Sequence, residues 1–261
     1  MLQKVVTTLL FVLVLSHNVL GQTLPQARLV VNANLGMQIQ SSSRTDSVQF
    51  DLNRELGSLQ ATQTLGPYSV LDLGTTTRLW KGLGFGFAFS RAQGQSTASV
   101  ESEIPHPLFF DFHRTATTSA AGLTHRELVY HLSANYGFTL GSSTLVTLSI
   151  GPSFFNASQE FVSAVEITEL GYPFDEVDIA PGGLEEVSAT GWGYNIGIDL
   201  AYFGLKNLGL FGSSDVLDHI GIGLLLRYSR SKPDVVLQGV QQQHALQVGS
   251  LHKLGGIRLV F

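Results

Sequence analysis

The sequence predicts an all-β fold, an eight-stranded antiparallel transmembrane β-barrel with short periplasmic turns and long extracellular loops. Three observations predict it. Apolar residues recur with a period of two in eight separate segments, the connections between those segments alternate between short and long, and the aromatic residues gather at the segment ends. Successive side chains on a strand point to opposite faces, so a period of two means one apolar face and one polar face. The 28 Gly, 16 Phe and 7 Tyr suit a turn-rich β chain better than a helical one. No run of 18 or more apolar residues exists, so no α-helix of this chain can cross a bilayer.

The first segment sets Leu29, Val31, Ala33, Leu35, Met37 and Ile39 against Asn32, Asn34, Gly36 and Gln38. In the second, Leu71, Leu73, Thr75, Thr77 and Leu79 oppose Asp72, Gly74, Thr76 and Arg78. From Leu83 to Phe89 every odd position is large and apolar and every even one is Gly or Ala. Leu128 to Phe138 opposes Leu128, Tyr130, Leu132, Ala134, Tyr136 and Phe138 to His131, Ser133 and Asn135. Val146, Leu148, Ile150 and Pro152 then oppose Thr147, Ser149, Gly151 and Ser153. Trp192 to Tyr202 and Ile220 to Tyr228 alternate in the same way, with Asn195, Asp199 and Arg227 on their polar faces. The last segment sets Leu251, Ile257, Leu259 and Phe261 against His252, Gly256 and Arg258, with Lys253 an exception on the apolar face. Each segment is about ten residues long, the length a tilted strand needs to cross hydrocarbon.

A soluble sandwich also has strands with one apolar face. Two features favour the barrel. The connections at Lys81-Gly82, Gly141-Ser142 and Lys206-Asn207 are short, the third with an insertion to about Asp218, whereas those at about 41–66, 92–123, 156–187 and 231–245 are long. Outer-membrane barrels sort their loops in this way, and a sandwich has no reason to. Trp80, Phe138, Tyr202 and Phe261 would then lie at one rim, and Tyr68, Phe89, Tyr130, Phe154, Trp192 and Tyr228 near the other. Two aromatic belts mark the two water–lipid boundaries.

The N-terminus reads as an export signal. Lys4 precedes an eleven-residue run, Val5 to Leu15, apolar apart from Thr7 and Thr8, and Val19-Leu20-Gly21 places compact residues before a cut at Gln22. The expected organisation is a signal peptide over 1–21, a short segment over 22–27 and the barrel over 28–261. With no cysteine, neither lipid modification of a cysteine nor a disulfide framework is open to the chain. Of the 15 Lys+Arg, losing Lys4 leaves 14 against 20 Asp+Glu, a formal charge of −6, which argues against a nucleic-acid partner.

The chain closes on Ile257-Arg258-Leu259-Val260-Phe261, with Ile257, Leu259 and Phe261 on the apolar face. This end resembles the C-terminal signal through which outer-membrane proteins meet their assembly machinery. Together with Thr77-Arg78-Leu79-Trp80-Lys81-Gly82-Leu83-Gly84, Ile104-Pro105-His106-Pro107 and Gly151-Pro152-Ser153-Phe154-Phe155, it makes the chain resemble the small bacterial outer-membrane proteins of the OmpA/OmpX/OmpW type. More closely, it is similar to the family called outer-membrane β-barrel domains, over nearly all of residues 28–261. The resemblance implies a fold and a location, the bacterial outer membrane with its lipid as surroundings. It implies no enzymatic activity and no cofactor.

Eight strands enclose a bore that side chains can fill. Parity sends Asn32, Asn34, Gln38, Asp72, Arg78, Glu127, His131, Asn135, Asp199, Arg227, His252 and Arg258 inward. Buried charges must pair, so Asp72, Glu127 and Asp199 are expected to neutralise Arg78, Arg227 and Arg258. That network plugs the bore, or else lines a narrow ion path through room left by inward glycines at 82, 84, 86, 193 and 197. Outside, the segment 156–187 holds Glu160, Glu166, Glu169, Asp175, Glu176, Asp178, Glu185 and Glu186 without a Lys or Arg. It reads as a solvated loop or as the seat of an extracellular partner or a divalent cation, although its spacing matches no Ca²⁺ loop. Alternation at 161–167 suggests a ribbon extending past the membrane. His106, Asp111 and His113 share a loop with Ser96, Ser99 and Ser102, but no spacing singles out a nucleophile. The expected role is therefore non-enzymatic, structural or surface-interacting, ahead of a porin-like channel and of a membrane enzyme acting on acyl chains.

Overall fold

The computed structural model describes residues 29–39, 42–205, 219–233 and 248–261. The segments expected at 1–21 and 22–27, the insertion after Lys206 and the middle of the connection at 231–245 lie outside the described residues. The strands are β1 (Leu29–Gln38), β2 (Ser42–Leu52), β3 (Glu55–Leu65), β4 (Tyr68–Trp80), β5 (Leu83–Pro105), β6 (His113–Leu140), β7 (Thr144–Glu169), β8 (Val177–Tyr202), β9 (Ile220–Ser231) and β10 (Leu251–Val260). Eight of them close a ring in the order β1, β4, β5, β6, β7, β8, β9, β10, each antiparallel to the next. β10 returns to β1 from Val260 opposite Val30 to His252 opposite Gln38. Closure leaves the ring without a free strand edge, which hydrocarbon demands of any spanning sheet.

The faces are inverted relative to a soluble protein. Leu35, Leu73, Phe87, Leu132, Ile196, Leu224 and Ile257 are exposed, while their neighbours Asn34, Asp72, His131, Asn195 and Arg258 are buried. A sandwich would bury the first set; a barrel in lipid exposes it. Trp80 and Phe261 stand out at one end of this belt and Trp192 at the other. Phe154 packs on Trp192 at 5.3 Å, and Phe89 on Tyr130 at 5.5 Å. Tyr68 departs from the expected outer belt: its ring is buried inside the bore. On the short side, Lys81 and Gly82 turn with φ of 44° and 86°. Two successive positive φ values make the turn whose twist matches a two-residue hairpin.

The long connections are largely not loops. β5 runs on to Pro105, β6 starts at His113, and β7 and β8 extend to Glu169 and from Val177. The stretch 41–66 is mostly the hairpin β2–β3, turning at Asn53 and Arg54 with φ of 55° and 69°, and β3 lies along β5 from Ser58 opposite Glu103 to Leu65 opposite Ser96. Period two persists there with its polarity reversed. Ala98, Val100 and Ile104 are buried while Thr97, Ser99, Glu101 and Glu103 are exposed. The outward face has left lipid for water, so the large apolar residues that betray a membrane strand are absent from it.

β6 and β7 stop pairing beyond His125 opposite Gln159. Register shifts between Ser96 and Ala98 on β5 and around Ala164 on β7 mark the same region, and bulges of this kind bend a strand. Above it the chain divides into two arms, β2–β3–β5–β6 and β7–β8. They meet over a core of Leu59, Val100, Leu123 and Val162, and farther out over Ile104, Ala116 and Ile179. The ribbon suggested at 161–167 is thus one layer of a packed cap.

An Arg at Leu224 should cost roughly 2–4 kcal/mol in a refolding titration into bilayers, as expected near the midplane. An Arg at Leu184, equally apolar and exposed but high on the β7–β8 arm, should cost within about 0.5 kcal/mol. Equal costs at the two positions would mean that the lipid belt is misplaced.

Candidate functional site

The bore is filled in layers. At the periplasmic end Leu145, Ala201, Phe203 and Val260 cluster with Val30. Above them Arg258 grips Asp199, Nε to Oδ2 at 2.9 Å and Nη2 to Oδ1 at 2.5 Å, and donates from Nη1 to Asn34 Oδ1. Asn34 Nδ2 donates to Asp72 Oδ1 at 2.9 Å. The other oxygen of Asp72 accepts from Ser90 Oγ at 2.6 Å and from Arg227. Ser90 Oγ lies 3.2 Å from His131 Nε2, and His131 Nδ1 lies 2.7 Å from Ser153 Oγ, which accepts from Asn195 Nδ2. The chain of contacts therefore takes at least one side chain from each of the eight barrel strands.

Small residues make this packing possible. A Cβ at Gly223 would come within 2.7 Å of the Arg258 guanidinium carbon, and one at Gly86 within 2.4 Å of Asn135. At Gly86 and Gly223 the room is thus taken up by the neighbouring side chains. A cavity of about 40 Å³ remains beside Asn32, Thr76, His131, Ser149 and Asn195, space for roughly two or three waters.

Pro152 on β7 has no amide hydrogen to donate, and the pairing of β6 with β7 skips Leu132–Pro152 and Ser133–Gly151. Asn195 reaches across from β8, its Nδ2 lying 3.1 Å from Gly151 O and 3.0 Å from Pro152 O. An inward amide thereby covers the break in the ladder.

Two of the three expected ion pairs form, Asp72–Arg227 and Asp199–Arg258. The third does not. Glu127 lies near the outer end of the bore, where Oε1 accepts from Tyr68 Oη at 2.7 Å and meets His125 Nε2 at 2.9 Å. Arg78 lies toward the periplasmic end of β4, half-buried beside Gly137. Among the described residues no carboxylate lies within ion-pair distance of it. Parity put both side chains inside, but they sit at opposite ends of the tube. His252 Nε2 meets Gln38 Oε1 at 2.9 Å. Over this polar level lies a second apolar layer, Val129, Phe155, Ala157, Val187, Ala189 and Val248. Phe155 is fully buried; it, Ser90 and His125 are bore residues just beyond the ends of the alternating segments, where the period of two gives no signal of them.

On the terminal strand, Ile257, Leu259 and Phe261 face outward. Phe261 is zipped to the first strand through its amide, which donates to Leu29 O at 2.9 Å.

The groups weighed for catalysis do not assemble. Ser96 and Ser102 are buried strand residues, donating to Leu123 O and Ser58 O. His113 Nε2 lies 3.2 Å from Leu56 O. His106 Nδ1 accepts from the amides of Leu108 and Phe109, both at 3.1 Å, and its Nε2 lies 3.7 Å from Asp175. The acidic residues of 156–187 are spread along the β7–β8 arm, and no group of three or more that could hold a metal ion exists among the described residues. Glu160 accepts from the Thr124 amide at 2.6 Å, which holds its carboxyl below the usual range. Glu169 is held down likewise by hydrogen bonds from Arg114, which arrives from β6.

No family model matches the chain, and no curated protein matches it. Among solved structures, the outer membrane protein OprG from Pseudomonas aeruginosa is similar at 10% identity and a TM-score of 0.46, over 92% of this chain and 99% of that one. Neisserial surface protein A is similar at 12% identity and a TM-score of 0.39, over 90% and 98%. The outer membrane protease OmpT from Escherichia coli is similar at 9% identity and a TM-score of 0.39, over 91% and 97%. One architecture hosts unrelated activities, so the role of this chain has to be argued from its own residues.

Replacing Arg227 with Ala should strand the Asp72 carboxylate and cost roughly 3–5 kcal/mol in a urea refolding titration. Arg78→Ala should change stability by no more than about 0.5 kcal/mol. The reverse order would place the important guanidinium at the periplasmic end.

Proposed function

We propose that the chain is an integral protein of the bacterial outer membrane, non-enzymatic, with a closed bore and a structural or surface-interaction role. The observation that carries this reading is the hydrogen-bonded network from Asp199 to Asn195, which takes side chains from all eight strands between two apolar layers. An ion entering the bore would have to break charge-assisted hydrogen bonds and cross apolar side chains that offer it no replacement ligands. The cap supports the second half of the reading. A structural barrel needs no arms of this length, and loops and projections held on a rigid scaffold are where binding residues concentrate.

Two other readings are weaker. A porin-like channel has the small polar cavity in its favour, but among the described residues apolar clusters lie on either side of the polar network. Asp72, Ser90 and His131 have the composition of a hydrolytic triad, but Ser90 donates to the carboxylate itself, and all three are enclosed in the bore. A nucleophile must be within reach of its substrate and of a base that takes its proton. We further propose that residues 1–21 are removed before Gln22 on export and that Ile257, Leu259 and Phe261 present β10 to the assembly machinery.

Planar-bilayer recording of the refolded protein tests the closed bore. The wild type should pass no steady current, while Asp72→Ala should leak ions or fail to fold. A stable, ion-selective current through the wild type would overturn the reading and favour the channel.

A further inference from the structure

The far end of the cap carries large apolar side chains where no membrane strand places them. Leu56, Leu108, Phe109, Phe110, Leu170 and Tyr172 are exposed there, Phe110 at 74% and Tyr172 at 84%. This is not the barrel's own lipid belt. Between Arg91, just past that belt, and Pro105, β5 travels roughly 45 Å as an extended strand. Apolar side chains gathered in water mark a contact surface.

The three tips that carry them are tied together. Asn53 Nδ2 of the β2–β3 turn reaches Pro105 O at 3.4 Å, and the Asp111 amide donates to Glu55 Oε1 at 2.6 Å. Arg114, buried, donates from Nη1 to Phe174 O at 2.7 Å while its guanidinium holds Glu169. His106, buried beneath the β5–β6 tip, lies between the Phe109 ring at 4.9 Å and the Phe112 ring at 5.4 Å. The patch is therefore held in place before anything binds, which lowers the entropic cost of binding.

The charges around it select its occupant. Asp51, Asp111, Asp175 and Glu176 are exposed at the tips, Arg54 is the exposed cation among them, and Arg114 is turned inward on Glu169. A surface of phosphate or carboxylate would be repelled. Aromatic faces beside carboxylates are the chemistry that attracts a quaternary ammonium, and Phe, Tyr and Leu side chains enter the interfacial zone of a bilayer. We infer that the tip docks on a bilayer whose outer face presents choline headgroups, Phe110 and Tyr172 entering between lipids while Asp111 and Asp175 face the trimethylammonium groups. The inference rests on the surface-interaction reading above. A barrel that passes no current yet ignores such vesicles would keep the closed bore and lose the choline surface, so the two can fail separately.

The test uses the full chain refolded and held in amphipol, which covers the barrel's lipid belt, floated with vesicles of phosphatidylcholine or of phosphatidylcholine with one third phosphatidylglycerol. Wild type should float with the first and less with the second. F110S/Y172S, checked for folding by heat-modifiable mobility, should bind phosphatidylcholine about tenfold more weakly or worse, the loss of one or two ring contacts. D111N/D175N should lose the discrimination against phosphatidylglycerol. F110W adds a reporter whose emission should shift to the blue on phosphatidylcholine vesicles. Failure of the wild type to float with phosphatidylcholine would overturn the inference and leave the patch to a protein partner. Equal flotation of F110S/Y172S, stronger binding to phosphatidylglycerol vesicles, or no shift for F110W would overturn it as well.

Discussion

The Asp72 carboxylate is fully buried and accepts from Arg227, Ser90 and Asn34. Each donor comes from a different strand, and through Asn34 and Ser90 the bonds continue to Arg258, Asp199, His131, Ser153 and Asn195. An unpaired carboxylate in this bore would be prohibitively costly, so β1, β4, β5 and β9 have to keep the register that brings the donors to it. A slip of one residue in any of them would turn its donor to lipid and its lipid residue inward. Backbone ladders hold only neighbouring strands together; this network also ties strands that are not neighbours, β4 to β9 through Asp72–Arg227 and β8 to β10 through Asp199–Arg258.

Where the chain leaves the membrane, the same alternation serves the opposite solvent. Inside the belt the outward set is Leu, Ile and Phe over inward Asn, Asp, His and Arg. Above it the outward set is Thr, Ser and Glu over inward Ala, Val and Ile. The bore can hold ion pairs because its walls supply partners at fixed height. The cap, with no such tube around it, is held by burial between two arms. Its tip then breaks the rule by exposing rings to water.

The barrel strands were legible because lipid imposes large apolar residues on one face and a narrow bore imposes polar or small ones on the other. Leu29 to Gln38 and Ile220 to Tyr228 show both constraints at once. The upper halves of β5 and β6 were not, because small inward residues such as Ala98 and Ala116 opposite Ser and Thr look like a polar loop; on the β7–β8 arm only the alternation at 161–167 marks the extension. The place of Tyr68 in the chain points to the outer belt, yet parity with Asp72 puts it inside, where its hydroxyl donates to Glu127. Pairing among the inward acids and bases follows from parity and charge alone, but not which acid meets which base. Nor does their height in the bore, and that is what separates Arg78 from Glu127. The docking of three tips around His106 and Arg114 depends on contacts between distant segments, for which one sequence carries no signal.

A double-mutant cycle on Asp72 and Arg227 tests most directly whether the bore is held by this contact. Asp72→Asn, Arg227→Met and the pair together would be compared by equilibrium refolding into bilayers. A coupling energy of about 2 kcal/mol or more is predicted, with the double variant recovering much of what either single change loses. Additive losses, with coupling below about 0.5 kcal/mol, would show that the two side chains do not depend on one another and would contradict the account.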